Sequence, residues 1–415
     1  MNHLSKAKKT LYIPIEIKSR ELESKLLFAY YATKQNYRVI IGEQLAVEKS
    51  LSSFAQGIFF SKGYPHSHRK RIISKAKKLG HEIVEMDEEG LIFHNSIDYL
   101  KTRMKEDVLK MVSQEFCWGD YQRDLIRAAY PRISSKCTST GSLRFDLLKP
   151  KFRSLYEDET GRLRKKYGEF ILINTRFTLY NHINGKKKAE KGSHTDYIRQ
   201  LYVHFIEMIK KLRKTYPQFK LVIRPHPAED FQSYRRAFST DPNVHIIHEG
   251  NVIHWILASK LVIHNGCTTG IEASILDKPV ISFKPVQSKL YDVALPNEVS
   301  LQAFDFQEVC GHIQSILNLQ PNVKRTEHLA RYYHENGYAY ENILELLARC
   351  KVTAKPFSTS IVSDVKSKHI KYRFPYFREE EIKRFFYKID EVEGNKNRVS
   401  IRKLSDRLFV IESVK

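Results

Sequence analysis

Three short apolar runs, at 221–223, 261–263 and 279–283, are continuous rather than alternating, the pattern of strands covered on both faces of a parallel sheet. The first two give way at once to polar or glycine-containing sequence, RPHPAED and HNGCTTGIEA. The same rhythm begins near the amino terminus. Residues 10–17 read as a strand, and 19–36 as a helix with Leu22, Leu26, Leu27, Ala29 and Tyr30 on one face. Strands follow at 38–41, 57–60 and 81–85, with a helix at 67–79 before the last of them. A helix at 95–112, a strand at 115–117 and a helix at 120–129 complete this alternation.

The charged segment 151–168 lacks strand character and reads as a linker and helix. A second alternation starts with a strand at 169–177 and a long helix at 195–216, then takes in the three apolar runs. A strand at 243–248 and helices at 252–258, 308–317 and 328–350 fill it out. Segment 351–415 is polar and basic, with a helical stretch at 379–389 and a terminal strand at 407–413. Repeated strand–helix alternation predicts an α/β protein. The expected architecture is two Rossmann-like doubly wound domains facing a cleft, 1–150 and 151–350, with a basic, partly helical extension over 351–415. No solenoid repeat is visible.

Ligands of open α/β sheets bind beyond the carboxyl ends of the strands, so residues just after each run are the candidates. Arg224 and His226 follow the first apolar run, held between Pro225 and Pro227. Asn265, Gly266, Thr268, Thr269 and Gly270 follow the second and open a helix carrying Glu272. An arginine fork, hydroxyls and a helix start suit a phosphate. In the first domain, Glu16 ends the first strand with Arg20 just beyond, and Asp87, Glu88 and Glu89 follow the strand at 81–85. Asn174, Thr175 and Arg176 end the strand at 169–177.

Charge narrows the partners. With 70 Lys and Arg against 47 Asp and Glu in 415 residues, the formal net charge is +23, which favours an anionic partner. Nucleic acid is not expected, because the aromatic residues do not interleave with Lys and Arg as in RNA-binding sheets. A nucleic-acid-binding protein remains the non-enzyme alternative. Docking on anionic lipid or a phosphorylated glycolipid accounts better for the charge. The five cysteines are scattered and form no CxxC, which argues against a disulfide framework and structural zinc and points to a reducing cytoplasm. No signal peptide and no 18-residue apolar stretch is present, so any membrane contact is expected to be peripheral, on the inner face of the inner membrane. Walker A, GxGxxG, HExxH and GxSxG patterns are missing.

RPHP at 224–227, followed by HNGCTTGIEASILDKPVISF from 264, resembles the carboxy-terminal domain of GT-B-fold glycosyltransferases of bacterial surface polysaccharides, among them the capsule and polysialic-acid transferases with an HP motif. STGSLRFDLL at 139–148 resembles a TGxxKFD segment of the lipid A Kdo transferases, with Arg144 in place of Lys. The amino-terminal LYIPIEIKSRELESKLLFA is similar to surface carbohydrate biosynthesis proteins. The resemblance implies a metal-independent transferase without a cofactor, moving a sugar from a nucleotide donor, such as a CMP-activated acidic sugar, to a glycan or glycolipid. It further implies that Arg224 and His226 hold the donor phosphate, that Thr268, Thr269 and Gly270 donate to it, that Asn265 and Gly266 line the pocket floor, and that Glu272 takes a sugar or ribose hydroxyl. For the base, the first domain offers Glu16 and the run Asp87, Glu88 and Glu89, with Glu16 preferred by likeness to the Kdo transferases. The strand-end positions make Arg20, Asp87, Glu88, Glu89, Asn174, Thr175 and Arg176 candidates for acceptor or cleft contact. A non-hydrolysing UDP-sugar 2-epimerase and a polyol-phosphate transferase are the alternatives on this fold.

Overall fold

The structure, a computed structural model, describes residues 7–93, 95–318, 329–334, 336–357 and 370–414. Its two units are Met1–Leu155 together with Ala330–Lys415, and Tyr156–Leu329. Unit 1 begins with the strands β1 (Lys9–Ile15), β2 (Tyr37–Glu43), β3 (Ile58–Ser61), β4 (Glu82–Glu85), β5 (Gln114–Cys117) and β6 (Cys137–Ser139). They lie in the order 2-1-3-4-5-6, all parallel. The sheet therefore changes its direction of growth between β1 and β3, a topological switch point. Burial of β2 along its whole length and of nearly all of β1 explains why these runs read as continuous apolar sequence.

Unit 2 contains β7 (Phe170–Thr175), a small hairpin of β8 (Asn181–His182) and β9 (Gly185–Lys186), then β10 (Lys220–Pro225), β11 (Val244–Ile246), β12 (Leu261–His264), β13 (Val280–Phe283) and β14 (Leu301–Ala303). Without the hairpin, these form a six-stranded parallel sheet in the order β11-β10-β7-β12-β13-β14. Numbered from β7, that is the 3-2-1-4-5-6 order of a dinucleotide-binding sheet, with its switch between β7 and β12. The helix His194–Thr215 presents Ile198, Leu201, Phe205, Ile209 and Leu212 at three- and four-residue intervals. These side chains share one core with Ile171, Ile173, Ile223 and Ile263 of the strands.

The carboxy-terminal segment completes unit 1. β15 (Val399–Ser405) and β16 (Leu408–Ser413) form an antiparallel hairpin, and β16 pairs antiparallel with β2. Glycine at 42 is required there, because a Cβ would stand 2.0 Å from the Arg407 carbonyl oxygen. A buried ion pair, Arg38 to Glu412 at 2.7 Å, ties the same two strands. The helix Glu379–Glu393 packs on Lys18–Lys34, where the Tyr30 and Tyr31 hydroxyls donate to Asp390 (2.7 Å) and Glu393 (2.6 Å).

Several expected boundaries shift. The division between units falls at 155 and 330 rather than 150 and 350, and the extension belongs to unit 1. The helix expected over 95–112 is two, Ser96–Thr102 and Glu106–Leu109, with Arg103 between them donating to Asp87. The helix expected over 328–350 also divides, into Leu329–Tyr332 and Ala339–Ala348; His328 lies outside the described residues. The second helix starts where it does because Asp146 accepts the amides of Ala339 (2.8 Å) and Tyr340 (2.9 Å). The TGSLRFD segment thus has a structural task. The helix Gln44–Ser50 and the strands β14 and β15 went unread, the first two being seven and three residues long.

Candidate functional site

At the switch point of unit 2 five of the expected residues meet: Asn174, Arg176, Asn265, Gly266 and Thr269. Asn174 on β7 stands opposite Arg224 of β10 on one side and His264 of β12 on the other. Its amide nitrogen donates to Thr269 Oγ1 at 3.3 Å, across the crevice, while its buried Oδ1 has no hydrogen-bond partner among the described residues. One residue on, Asn265 clamps the two strand ends, accepting from Arg176 N (2.9 Å) and donating to Arg176 O (3.2 Å). Thr175 turns the other way, to Glu229.

Glu229 was not singled out in the sequence, yet it organises the RPHP turn. Its fully buried carboxylate accepts the Thr175 hydroxyl (3.1 Å), the amides of Phe177 (2.9 Å) and His226 (3.2 Å), and the Tyr234 hydroxyl (2.5 Å). Burial raises its pKa above the ordinary carboxylate value despite these donors. The turn it builds leaves the His226 side chain exposed, with Nδ1 accepting the Ala228 amide at 3.2 Å. In the neutral ring the proton then sits on Nε2.

Three expectations need correction. Arg224 does not offer its fork to a phosphate: Nη1 and Nη2 donate to the carbonyls of Glu249 (2.6 Å) and Gly250 (3.1 Å), and the guanidinium lies over the Trp255 ring. Burial lowers its pKa to about 10. The Gly270 amide donates to the Cys267 carbonyl at 3.0 Å instead of to a ligand. Glycine stands at 270 because the buried His264 ring packs on the helix there, and a Cβ would come within 2.4 Å of Nε2. Glu272 is buried on the same helix, Thr268–Ile275, and does not line the crevice.

The crevice itself is narrow, with about 10 Å³ of open interior, barely room for a water. Arg176, Asn265, Gly266, Lys284, Tyr291 and Asn297 line it. Tyr291 stacks on His194 at 4.3 Å, and Asp292 takes the Tyr197 hydroxyl (2.5 Å) and Lys284 (3.1 Å). His264 beneath is held neutral, its pKa brought down to about 3 by burial and by Arg176.

The switch point of unit 1 is built from charges and is open, with about 440 Å³ of interior. Glu16, just past β1, meets Lys62, just past β3, at 2.6 Å. Arg373, from the carboxy-terminal segment, holds the other Glu16 oxygen. Burial favours the protonated form of Glu16, but Lys62, Arg373 and Arg20 outweigh it and lower the pKa. The acidic run beyond β4 is fully engaged: Asp87 with Arg103 (2.7 Å), Glu88 with Lys25 (2.7 Å) and Glu89 with Arg20 (2.8 Å). Asp87 is buried and off the pocket wall, whereas Glu88, though buried, still reaches it, so the expected acceptor contact is left to Glu88, Glu89, Glu16 and Arg20. Gln44, Tyr64, His68, Arg103, Ile370 and Phe374 are also on the walls. Lys62, Tyr64 and Arg373 were not foreseen, although Lys62 follows a strand end just as Glu16 does.

No protein-family model and no curated protein matches the sequence, so the resemblance to Kdo and capsule transferases rests on the quoted motifs. Solved structures do share the fold. The UDP-GlcNAc 2-epimerase of Methanocaldococcus jannaschii, in complex with UDP-GlcNAc and UDP, superposes with a TM-score of 0.53 at 12% identity, over 82% of this chain and 99% of that one. The Rickettsia bellii UDP-N-acetylglucosamine 2-epimerase gives 0.53 at 14% identity (82% and 96% covered). The Neisseria meningitidis enzyme bound to UDP-GlcNAc gives 0.52 at 14% (82% and 100%). The chain has their two-unit, Rossmann-like GT-B fold. At such identity the likeness speaks for fold alone. Among the described residues no helix is long and apolar enough to cross a membrane.

Proposed function

We propose that this protein is a nucleotide-sugar enzyme whose nucleotide binds at the β7/β12 switch of unit 2. The observation that carries the reading is the 3-2-1-4-5-6 strand order, with Asn174, Arg176, Asn265, Gly266 and Thr269 converging at its switch. Thr268, Thr269 and the helix behind them supply neutral donors to a phosphate, and Arg176 and Lys284 supply charge. His226, with its Nε2 proton, donates to the departing phosphate oxygen.

Two chemistries suit such a site. Rearrangement of the sugar on a UDP donor, as a non-hydrolysing 2-epimerase, is the reading favoured by the solved structures that share the fold. Glycosyl transfer from a CMP- or UDP-sugar to a surface glycan is the second, favoured by the open pocket of unit 1, which has room for an acceptor sugar with Glu16 on its wall. In a transferase, Glu16 would need to shed its cations before it could take a proton, since they depress its basicity. Metal-free operation and peripheral binding to anionic lipid belong to the same proposal.

An acceptor-free incubation with UDP-GlcNAc in deuterium oxide separates the two. An epimerase that inverts C2 by removing its proton and returning one from solvent to the opposite face yields a new sugar resonance and deuterium at that centre. A transferase leaves the donor intact until a glycan is added. Failure to bind or turn over UDP- and CMP-sugars, with or without glycan, would remove the proposal.

A further inference from the structure

Unit 1 encloses a pocket of about 440 Å³, within the usual range for small-molecule sites. Most of its wall comes from the loops beyond β1, β2, β3 and β4, but Ile370, Arg373 and Phe374 come from the carboxy-terminal segment. Arg373 differs from the other cations of the pocket. Lys62 is 4% exposed and sits between Glu16 and Glu21, and Arg103 is tied to the buried Asp87. Arg373 is 54% exposed, and among the described residues its ion pair is with Glu16. Glu16 is doubly held, since Lys62 keeps its second oxygen. An incoming anion can therefore take over Arg373 without leaving Glu16 uncompensated. Arg20 sits on the same wall, with a buried Nε that has no hydrogen-bond partner among the described residues. The remaining surface mixes the rings of Tyr64 and Phe374 with carboxylates and Gln44, the alternation of flat apolar and bidentate polar groups that suits a polyhydroxylated ring.

We propose that Arg373 is the specificity-determining residue of this pocket, selecting a sugar that carries a carboxylate or a phosphate by exchanging its ion pair with Glu16 for one with the ligand. The inference rests on the reading that the protein handles sugars, and it deepens that reading. Loss of Arg373 from Glu16 also frees one carboxylate oxygen beside the bound sugar, so recognition and exposure of Glu16 happen in one step. Guanidinium is suited to this task because its fork accepts either anion in two parallel hydrogen bonds.

The test is calorimetry on the full-length protein with glucuronic acid, glucose 6-phosphate and glucose as probes. Wild type is expected to bind at least one of the anionic sugars about tenfold more tightly than glucose, the value of one charge-assisted hydrogen bond. The tighter of the two identifies the anion. Arg373→Gln, at an exposed position that leaves the fold intact, should erase the preference. Glu16→Gln should do the opposite and tighten the anionic sugar, because the guanidinium loses its internal competitor. Equal binding of all three sugars, no binding of any at millimolar concentration, a preference that survives Arg373→Gln, or a Glu16→Gln protein that binds the anion more weakly would each overturn the proposal. UDP and CMP titrated in the same experiment keep the two readings apart. Nucleotide binding without the sugar preference removes this inference and keeps the nucleotide-sugar reading, and the preference without nucleotide binding does the reverse.

Discussion

The two units carry switch-point crevices at equivalent places in their sheets, but they are built from opposite materials. In unit 2 the strand ends are joined by short groups, amides and hydroxyls with one buried carboxylate: Asn174 to Thr269, Asn265 to the Arg176 backbone, Thr175 to Glu229. In unit 1 they are joined by long charged side chains: Glu16 to Lys62 and Arg373, Glu89 to Arg20. The crevice among the short groups of unit 2 holds about 10 Å³, and the one among the long ion-paired side chains of unit 1 about 440 Å³. The contrast teaches how each crevice can respond to a ligand. A partly exposed ion pair contributes only about 0–1 kcal/mol, so a ligand can take one partner at little cost. A buried hydrogen-bond network must be replaced bond for bond, which rewards a ligand that reproduces its donors and acceptors.

The comparison breaks most visibly if Glu229 is removed. Glu229→Ala strands four buried donors, and unfolding in urea should show a loss on the order of 3–5 kcal/mol, against under ~1 kcal/mol for Arg373→Ala in unit 1. Gly270→Ala pushes a methyl into the His264 ring and should cost about 1–3 kcal/mol, read by the same measurement. Asp146 sharpens the comparison through pH. Burial raises its folded pKa from 3.8 to about 7, against the pull of the Ala339 and Tyr340 amides, so the folded protein holds this proton more tightly than the unfolded chain. Its contribution to stability is then fully present below pH 3.8 and declines as pH rises toward 7. Melting temperatures should fall over that window, and Asp146→Asn should flatten the trend. The smallest stability effect belongs to His226→Ala, within ~0.5 kcal/mol at an exposed site, yet turnover should be abolished; retained turnover would take His226 out of the mechanism.

The strands were legible because buried parallel strands are continuous apolar runs, and rules about strand ends then pointed to Glu16, Asn174, Asn265 and Thr269 without any contact information. Direction of side chains was not legible. Arg224 and His226 are two residues apart, and only the structure reveals that the arginine turns inward to the Glu249 and Gly250 carbonyls while the histidine stays outside. Gly270 misled for a related reason: a glycine beside a helix start signals close approach, but what approaches is the His264 ring. The partners of unit 1 were hidden by distance along the chain. Arg373 lies 357 positions from Glu16, and no local pattern links them. Glu229 carried a faint signal, an acidic residue three places after His226 at the end of a proline-bounded turn.

Hydrogen–deuterium exchange of the full-length protein, with and without saturating UDP or CMP, tests the central claim most directly. A nucleotide seated at the unit 2 switch should slow exchange at 174–177 and 264–270 while leaving 58–64 unchanged. Protection confined to unit 1, or none in either unit at concentrations that raise the melting temperature, would contradict it.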